Sequence, residues 1–300
     1  MTTVCSARAT LLCSQIPVAA VLLALTSAVL FGALAVAIRL AIRRGADPET
    51  GALATTGIAL VLCGGLALLL GGETDALWAF VLAGMIAPGA SQIMFFRAVR
   101  DIGPARAAVL VGTAPVVAAA IAIVALDEPL RAQLAVATAL IVSGGIALAG
   151  ERVRPDSFRR IGVALALAAT VLFATRDNVI RELQIDSDAE PLAAGAATLV
   201  GGGAVILAYL LVTRRARLVD GIAVRTWLPS GVLFAASYAA LFEAYERGRV
   251  TVVSPLVATE SLWGVVFAAL VLRRSELIGR RLVVGALFIV AGSALIGATR

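Results

Sequence analysis

The 300-residue chain contains no histidine and no lysine; all 25 of its basic residues are arginines. Without histidine there is no Ser–His or Cys–His nucleophile, no imidazole proton relay and no His-ligated zinc. Without lysine a Ser–Lys mechanism fails as well. The three cysteines, at positions 5, 13 and 63, make neither a CxxC pair nor a disulfide framework, and read as small tail or core residues. Charge is also scarce, at 15% of residues, where an ordinary soluble domain has about 25%. In its place, 61% of the residues are apolar and mean hydropathy is +1.00. One globular core cannot hide that excess, so the composition predicts a polytopic membrane protein. The net charge of +6 does not imply a nucleic-acid partner, because the arginines are scattered between apolar runs and not massed on one face.

A membrane-spanning helix needs about 20 apolar residues. Ten segments meet that standard: 17–42, 50–71, 76–99, 104–126, 130–150, 161–182, 191–213, 226–247, 250–272 and 277–298. The breaks between them carry helix stop and start chemistry, as in Gly45-Ala46-Asp47-Pro48, Gly71-Gly72-Glu73, Asp127-Glu128-Pro129 and Arg273-Arg274-Ser275-Glu276. A signal peptide is not expected, since the first apolar stretch runs from Ile16 to about Leu40, longer than an ordinary h-region. No loop is long enough to fold as a soluble domain. Function must lie between the helices.

The chain repeats itself. Val29-Leu30-Phe31 returns as Val171-Leu172-Phe173, and Ile38-Arg39 as Ile180-Arg181, at a spacing of 142. Pro48 answers to Pro191. Phe96-Arg97-Ala98 answers to Phe242-Glu243-Ala244, and Val111-Gly112-Thr113 to Val257-Ala258-Thr259, at 146. Glu128 matches Glu276, and Ser143-Gly144-Gly145 matches Ala291-Gly292-Ser293, at 148. Each match is weak alone; their common order is not. The chain divides into halves 1–150 and 151–300, each of five helices. Because five is odd, the second half must enter the membrane from the opposite side. The expected fold is all-α, with ten transmembrane helices as two inverted five-helix repeats. Inverted repeats are characteristic of secondary transporters, whose substrate site lies near the midplane between the halves.

These residues carry a family resemblance. Over nearly its whole length the chain resembles the EamA family of the drug/metabolite transporter superfamily. The likeness rests on five plus five helices and on the run Phe96–Ala98, Gly103 to Pro115, Asp127-Glu128 and Ile141-Val142-Ser143-Gly144-Gly145, with its return in the second half. Arg273-Arg274-Ser275-Glu276 departs from it, where the family usually shows Leu-Gly-Glu. The resemblance implies a multi-pass carrier of the cytoplasmic membrane. Such carriers typically export metabolites or amino acids through a cavity lined by helices 1, 3, 4, 6, 8 and 9.

Glu260 is the sharpest candidate site residue. It falls mid-helix in the ninth segment, where an acidic side chain costs about 2.5–3.5 kcal/mol on insertion scales. It either faces a cavity, recognising substrate or exchanging protons, or is a structural carboxylate paired with an arginine. Its repeat-mate is Ala114, so the fold itself does not require a charge there. Trp263 and Phe267 lie on the same helical face, three and seven residues on. Asp177 and Arg181 are spaced to pair, leaving Arg176 to face the cavity or, more ordinarily, to snorkel to the interface; Arg97 and Arg100 share that ambiguity. Gln92 suits a substrate amide or carboxylate but equally joins helices. Tyr238 lines a cavity or sits at an interface, and Glu243 is near enough to a helix end to be solvated. Pro88 and Pro115 are expected to kink their helices. The pairs Gly64-Gly65 and Gly144-Gly145 and the triplet Gly201-Gly202-Gly203 are expected to permit close helix approach. Glu128 and Glu276 read as helix-start carboxylates.

No strand–turn–helix context surrounds the glycines, so no phosphate loop is present and direct ATP hydrolysis is excluded as the driving force. No cofactor or metal is expected. The implied partners are the lipid bilayer, a small-molecule substrate and a coupling proton or other ion. Two other classes compete: a non-transporting scaffold or receptor, in which Glu260 packs on an arginine without a continuous cavity, and an intramembrane enzyme, disfavoured by the missing histidine. Orientation has two expectations. With each arginine assigned to the nearer helix end, the odd-numbered connections take 18 of the 25, which places them in the cytoplasm and both termini outside; the family resemblance implies cytoplasmic termini.

Overall fold

The computed structural model describes residues 18–71, 76–117, 132–149, 158–215, 221–248, 250–272 and 279–298. Each of the ten expected segments contains a helix: α1 Val18–Arg43, α2 Pro48–Leu70, α3 Leu77–Ile102, α4 Pro104–Val117, α5 Ala132–Ala149, α6 Arg160–Asp186, α7 Pro191–Val212, α8 Gly221–Arg247, α9 over 250–272 and α10 Arg280–Ala298. Among the described residues there is no strand. Six of the helices are long and apolar enough to cross a membrane, by length and composition: α1, α2, α3, α6, α7 and α9. The expectations for Cys5, Cys13, Glu128, Pro129 and Glu276 fall outside the described residues.

Local chemistry sets the helix ends. Asp47 caps α2 by accepting from the backbone N–H groups of Glu49 and Thr50 at 3.1 and 3.0 Å, with Pro48 in the first turn. The helix therefore starts at 48, two residues before the hydropathy boundary. Glu190 caps α7 in the same way, accepting from Ala193 N–H at 2.8 Å ahead of Pro191. Gly103, with φ +85°, ends α3, and Pro104 at once begins α4; a side chain would strain that backbone.

Pro88 interrupts α3 as expected. Residues Met85–Ala90 form a π-helical stretch, and Ala87 is extended at φ −146°, ψ 124°, as the residue before proline tends to be. Two further breaks lie at corresponding places of the repeat. In α4 the helix turns at Gly112-Thr113, and in α9 at Ala258-Thr259, between Val250–Val257 and Glu260–Phe267. At each break the threonine hydroxyl donates to a carbonyl three residues back: Thr113 to Leu110 and Thr259 to Leu256, both at 2.6 Å.

Packing runs mainly between the halves. α1 packs on α8 and α9, as α6 packs on α3 and α4; α2 packs on α8, as α7 packs on α3; and α2–α7, α4–α9 and α5–α10 pair across the halves. Close approaches depend on small residues. A Cβ on Gly144 would lie 2.7 Å from the carbonyl oxygen of Gly285, and one on Gly285 would lie 2.8 Å from that of Gly144. Gly84 and Gly201 hold α3 and α7 together, each facing a backbone carbonyl of the other helix, Thr198 and Val81. Gly64 meets only ordinary contacts and Gly65 faces open space, so that pair does not join helices as expected. Much of the outer surface is apolar, with Leu68, Leu69, Leu70, Trp78, Val212 and Leu270 exposed. Lipid suits such a surface; water does not.

Candidate functional site

The six helices named by the resemblance, α1, α3, α4, α6, α8 and α9, enclose a cavity of about 60 Å³. Both helix breaks reach it: Ala114 and Pro115 border it just after the α4 turn, and Ala258 and Glu260 at the α9 turn. Phe31, Phe95, Phe173 and Phe234 supply aromatic wall.

The polar groups are concentrated on α3, α6, α8 and α9. Arg176 is 3% exposed and lines the cavity; it does not snorkel. Its guanidinium donates to the Tyr238 hydroxyl and lies 5.3 Å from the Tyr238 ring centroid and 5.9 Å from that of Phe173. Aromatic faces thus take part in solvating the buried cation. Arg176 Nε stands 2.8 Å from Asp177 Oδ1, in ion contact but out of line for a hydrogen bond, so neither atom has a hydrogen-bond partner. Asp177 therefore pairs with its neighbour in sequence; the side chain of Arg181, its expected partner, lies outside what is described. The buried Tyr245 hydroxyl faces the Asp177 carboxylate of the same ion pair.

Gln92 is 2% exposed, lines the cavity, and its Nε2 has no hydrogen-bond partner. Glu260, half-buried, borders the same space. It makes no hydrogen bond or ion pair among the described residues, and the charges of Asp177 and Arg176 and the Tyr245 hydroxyl lie within its electrostatic reach.

The structure thus brings together Glu260, Gln92, Tyr238 and Arg176 and places Trp263 and Arg97 elsewhere. Trp263 packs against Gly32 of α1 and stacks on Phe267, with ring centroids 5.9 Å apart; it is not among the residues lining the cavity. Arg97 joins a separate ion cluster. Its Nε donates to Glu49 Oε1 at 2.5 Å and its Nη2 to the Tyr209 hydroxyl at 2.6 Å. Arg215 pairs with the same glutamate and, at 3.4 Å, with Asp47. Glu49 is 1% exposed, so α2, α3 and α7 meet on one buried carboxylate. Glu243 pairs with Arg247 at 2.6 Å.

Sequence reasoning missed Tyr245 and gave Asp177 no place in the cavity. A signal for Tyr245 exists: Phe234, Tyr238, Leu241 and Tyr245 all line the cavity, at the four-, three- and four-residue steps of one helix face.

Fold and cavity define a class first: an all-α, multi-pass membrane protein whose polar groups converge between its helices. The sequence model of the EamA-like transporter family matches twice, over residues 18–149 and 160–298, and the chain belongs to that family, within the drug/metabolite transporter superfamily. A search of curated proteins finds no match. Among similar solved structures is one described as "Crystal structure of protein", 18% identical, covering 92% of this chain and 96% of that one with a TM-score of 0.66; at that identity the likeness speaks for the fold alone.

Proposed function

We propose that the protein is a secondary transporter that exports small metabolites, such as amino acids or related compounds, across the cytoplasmic membrane by alternating access between two inverted five-helix repeats. The observation that carries this reading is the cavity, where Arg176, Asp177 and Glu260 sit among aromatic walls beside two broken helices. Buried charge in an apolar bundle is expensive and marks a pathway when it faces an internal space. Broken helices near such a site are the transporter pattern of irregular backbone tolerated only where it lines a cavity. The pairwise exchange of contacts between the halves supports rocking of one against the other. A scaffold would have Glu260 packed on an arginine and no cavity; Glu260 bordering a cavity without an ion-pair partner among the described residues favours transport.

In this reading Glu260 is the recognition or coupling group. A carboxylate that takes a proton and a substrate cation in turn makes uptake of that cation fall as pH falls, because the proton then holds the site. Arg176 and Asp177 of α6 and Tyr245 of α8 face the same space and set its background charge. In proteoliposomes supplied with amines, amino acids and nucleosides, Glu260→Gln is expected to lower saturable uptake by about tenfold or more, worth about 1.4 kcal/mol, and to flatten its pH profile. Uptake at the wild-type rate with unchanged pH dependence would overturn the role of Glu260.

A further inference from the structure

The charge around the cavity does not balance. The described side chains bordering it carry one cation, Arg176, and two anions, Asp177 and Glu260. Arg176 is engaged: it touches Asp177 at 2.8 Å, donates to Tyr238 and lies over two aromatic rings. Glu260 has no cation of its own among the described residues, so either a proton or a cationic ligand must neutralise it. In a low-dielectric enclosure the ionised carboxylate attracts a cation and repels a second carboxylate far more strongly than it would in water. The walls include Phe31, Phe95 and Phe234, rings of the kind whose faces attract a cation. One buried donor at the cavity lacks an acceptor: Gln92 Nε2, on a residue 2% exposed. A ligand that supplies an acceptor satisfies it, and one without it leaves it unpaired.

We infer that, within amino acids and related compounds, the preferred substrate is a net monocation: an amine with an apolar body and a neutral carbonyl or ether acceptor, as in an amino-acid amide or ester, and not the free acid or zwitterion. The ammonium goes to Glu260, the neutral acceptor to Gln92, and the apolar body to the phenylalanine walls. A zwitterion brings its carboxylate into a space that already holds two and must draw Arg176 away from Asp177 to shelter it. The inference rests on the cavity being the substrate site of the transporter proposed above.

Four probes with one phenyl body separate the contributions: phenylalaninamide, phenylethylamine, phenylalanine and 3-phenylpropionate. Dissociation constants are measured on the purified full-length protein by ligand-dependent thermal stabilisation, which reads binding to the folded state. The amide is expected to bind tightest, phenylethylamine more weakly, and phenylalanine at least about tenfold more weakly than the amide, with 3-phenylpropionate weakest. Phenylalanine or 3-phenylpropionate binding as tightly as the amide overturns the charge assignment, and so does the absence of binding by all four. Phenylethylamine matching the amide overturns the acceptor assignment. The wild-type series stands without any variant. In Glu260→Gln the amide is expected to lose its advantage over phenylalanine, and keeping it counts against Glu260 as the cation site. Proteoliposome counterflow separates this inference from the transport reading. Binding of the amide without counterflow contradicts transport alone, whereas counterflow that prefers phenylalanine contradicts the charge inference alone.

Discussion

Arg176 and Asp177 are adjacent in sequence, and removing either leaves the other as a charge inside the bundle. Breaking one partner of a buried pair costs about 3–5 kcal/mol, much of it the penalty of the orphaned ion. Arg176→Gln is therefore expected to lower the melting temperature sharply. Arg176→Gln combined with Asp177→Asn should be clearly more stable than Arg176→Gln alone, which a thermal double-mutant cycle measures; additive losses would mean that the pair is not coupled. At this scale the sequence was legible where a polar residue interrupts an apolar run: Glu260, Gln92 and Tyr238 stand out against leucine and alanine, and all three reach the cavity. It was less legible where two outcomes share one pattern. Arg176 can snorkel or turn inward, and only its packing against Tyr238 and Phe173 decides. Arg97 and Trp263 carry the same residue chemistry as a site, but the neighbours that claim them, Glu49 and Gly32, are 48 and 231 positions away.

At the scale of elements, hydropathy places every described helix, and capping chemistry sets the ends: Asp47 moves the start of α2 from 50 to 48, and Glu190 fixes that of α7 at the expected 191. Pro88 announced the distortion of α3. Pro115 announced the break of α4 at Gly112-Thr113, since it lacks the N–H that would bond the Val111 carbonyl; the turn at Ala258-Thr259 was visible only as a repeat match. Glycine clusters mark close approach where another helix is present to use them. Gly201 faces the Val81 carbonyl, while Gly65 faces open space. Overpacking of a tight contact costs about 1–3 kcal/mol, so Gly201→Ala is expected to lower the melting temperature by several degrees. Gly65→Ala, which also gains helix propensity, should leave it unchanged or raised. Equal behaviour of the two variants in one thermal-unfolding series would contradict the α3–α7 packing.

For the whole molecule, the proposal is that one cavity faces the two sides of the membrane in turn. The contacts α1–α8 and α6–α3 are equivalent under exchange of the halves, as are α1–α9 and α6–α4, so a mirror-related state can be reached by swapping their tightness without unfolding any helix. The five-plus-five count and the order of matched tripeptides made the two-repeat helical architecture the most legible part of the sequence. Substrate charge was not legible, because the cavity balance depends on which arginine turns inward. Ala114, the repeat-mate of Glu260, lines the cavity and offers a reporter that leaves the charged groups untouched. The most direct measurement is the labelling of Ala114→Cys, in a background free of the three native cysteines, by a small membrane-impermeant thiol reagent applied to right-side-out and to inverted vesicles. Alternating access predicts modification from both sides, at rates that shift in opposite directions when a substrate is added. Modification from one side alone, or from neither, would contradict it.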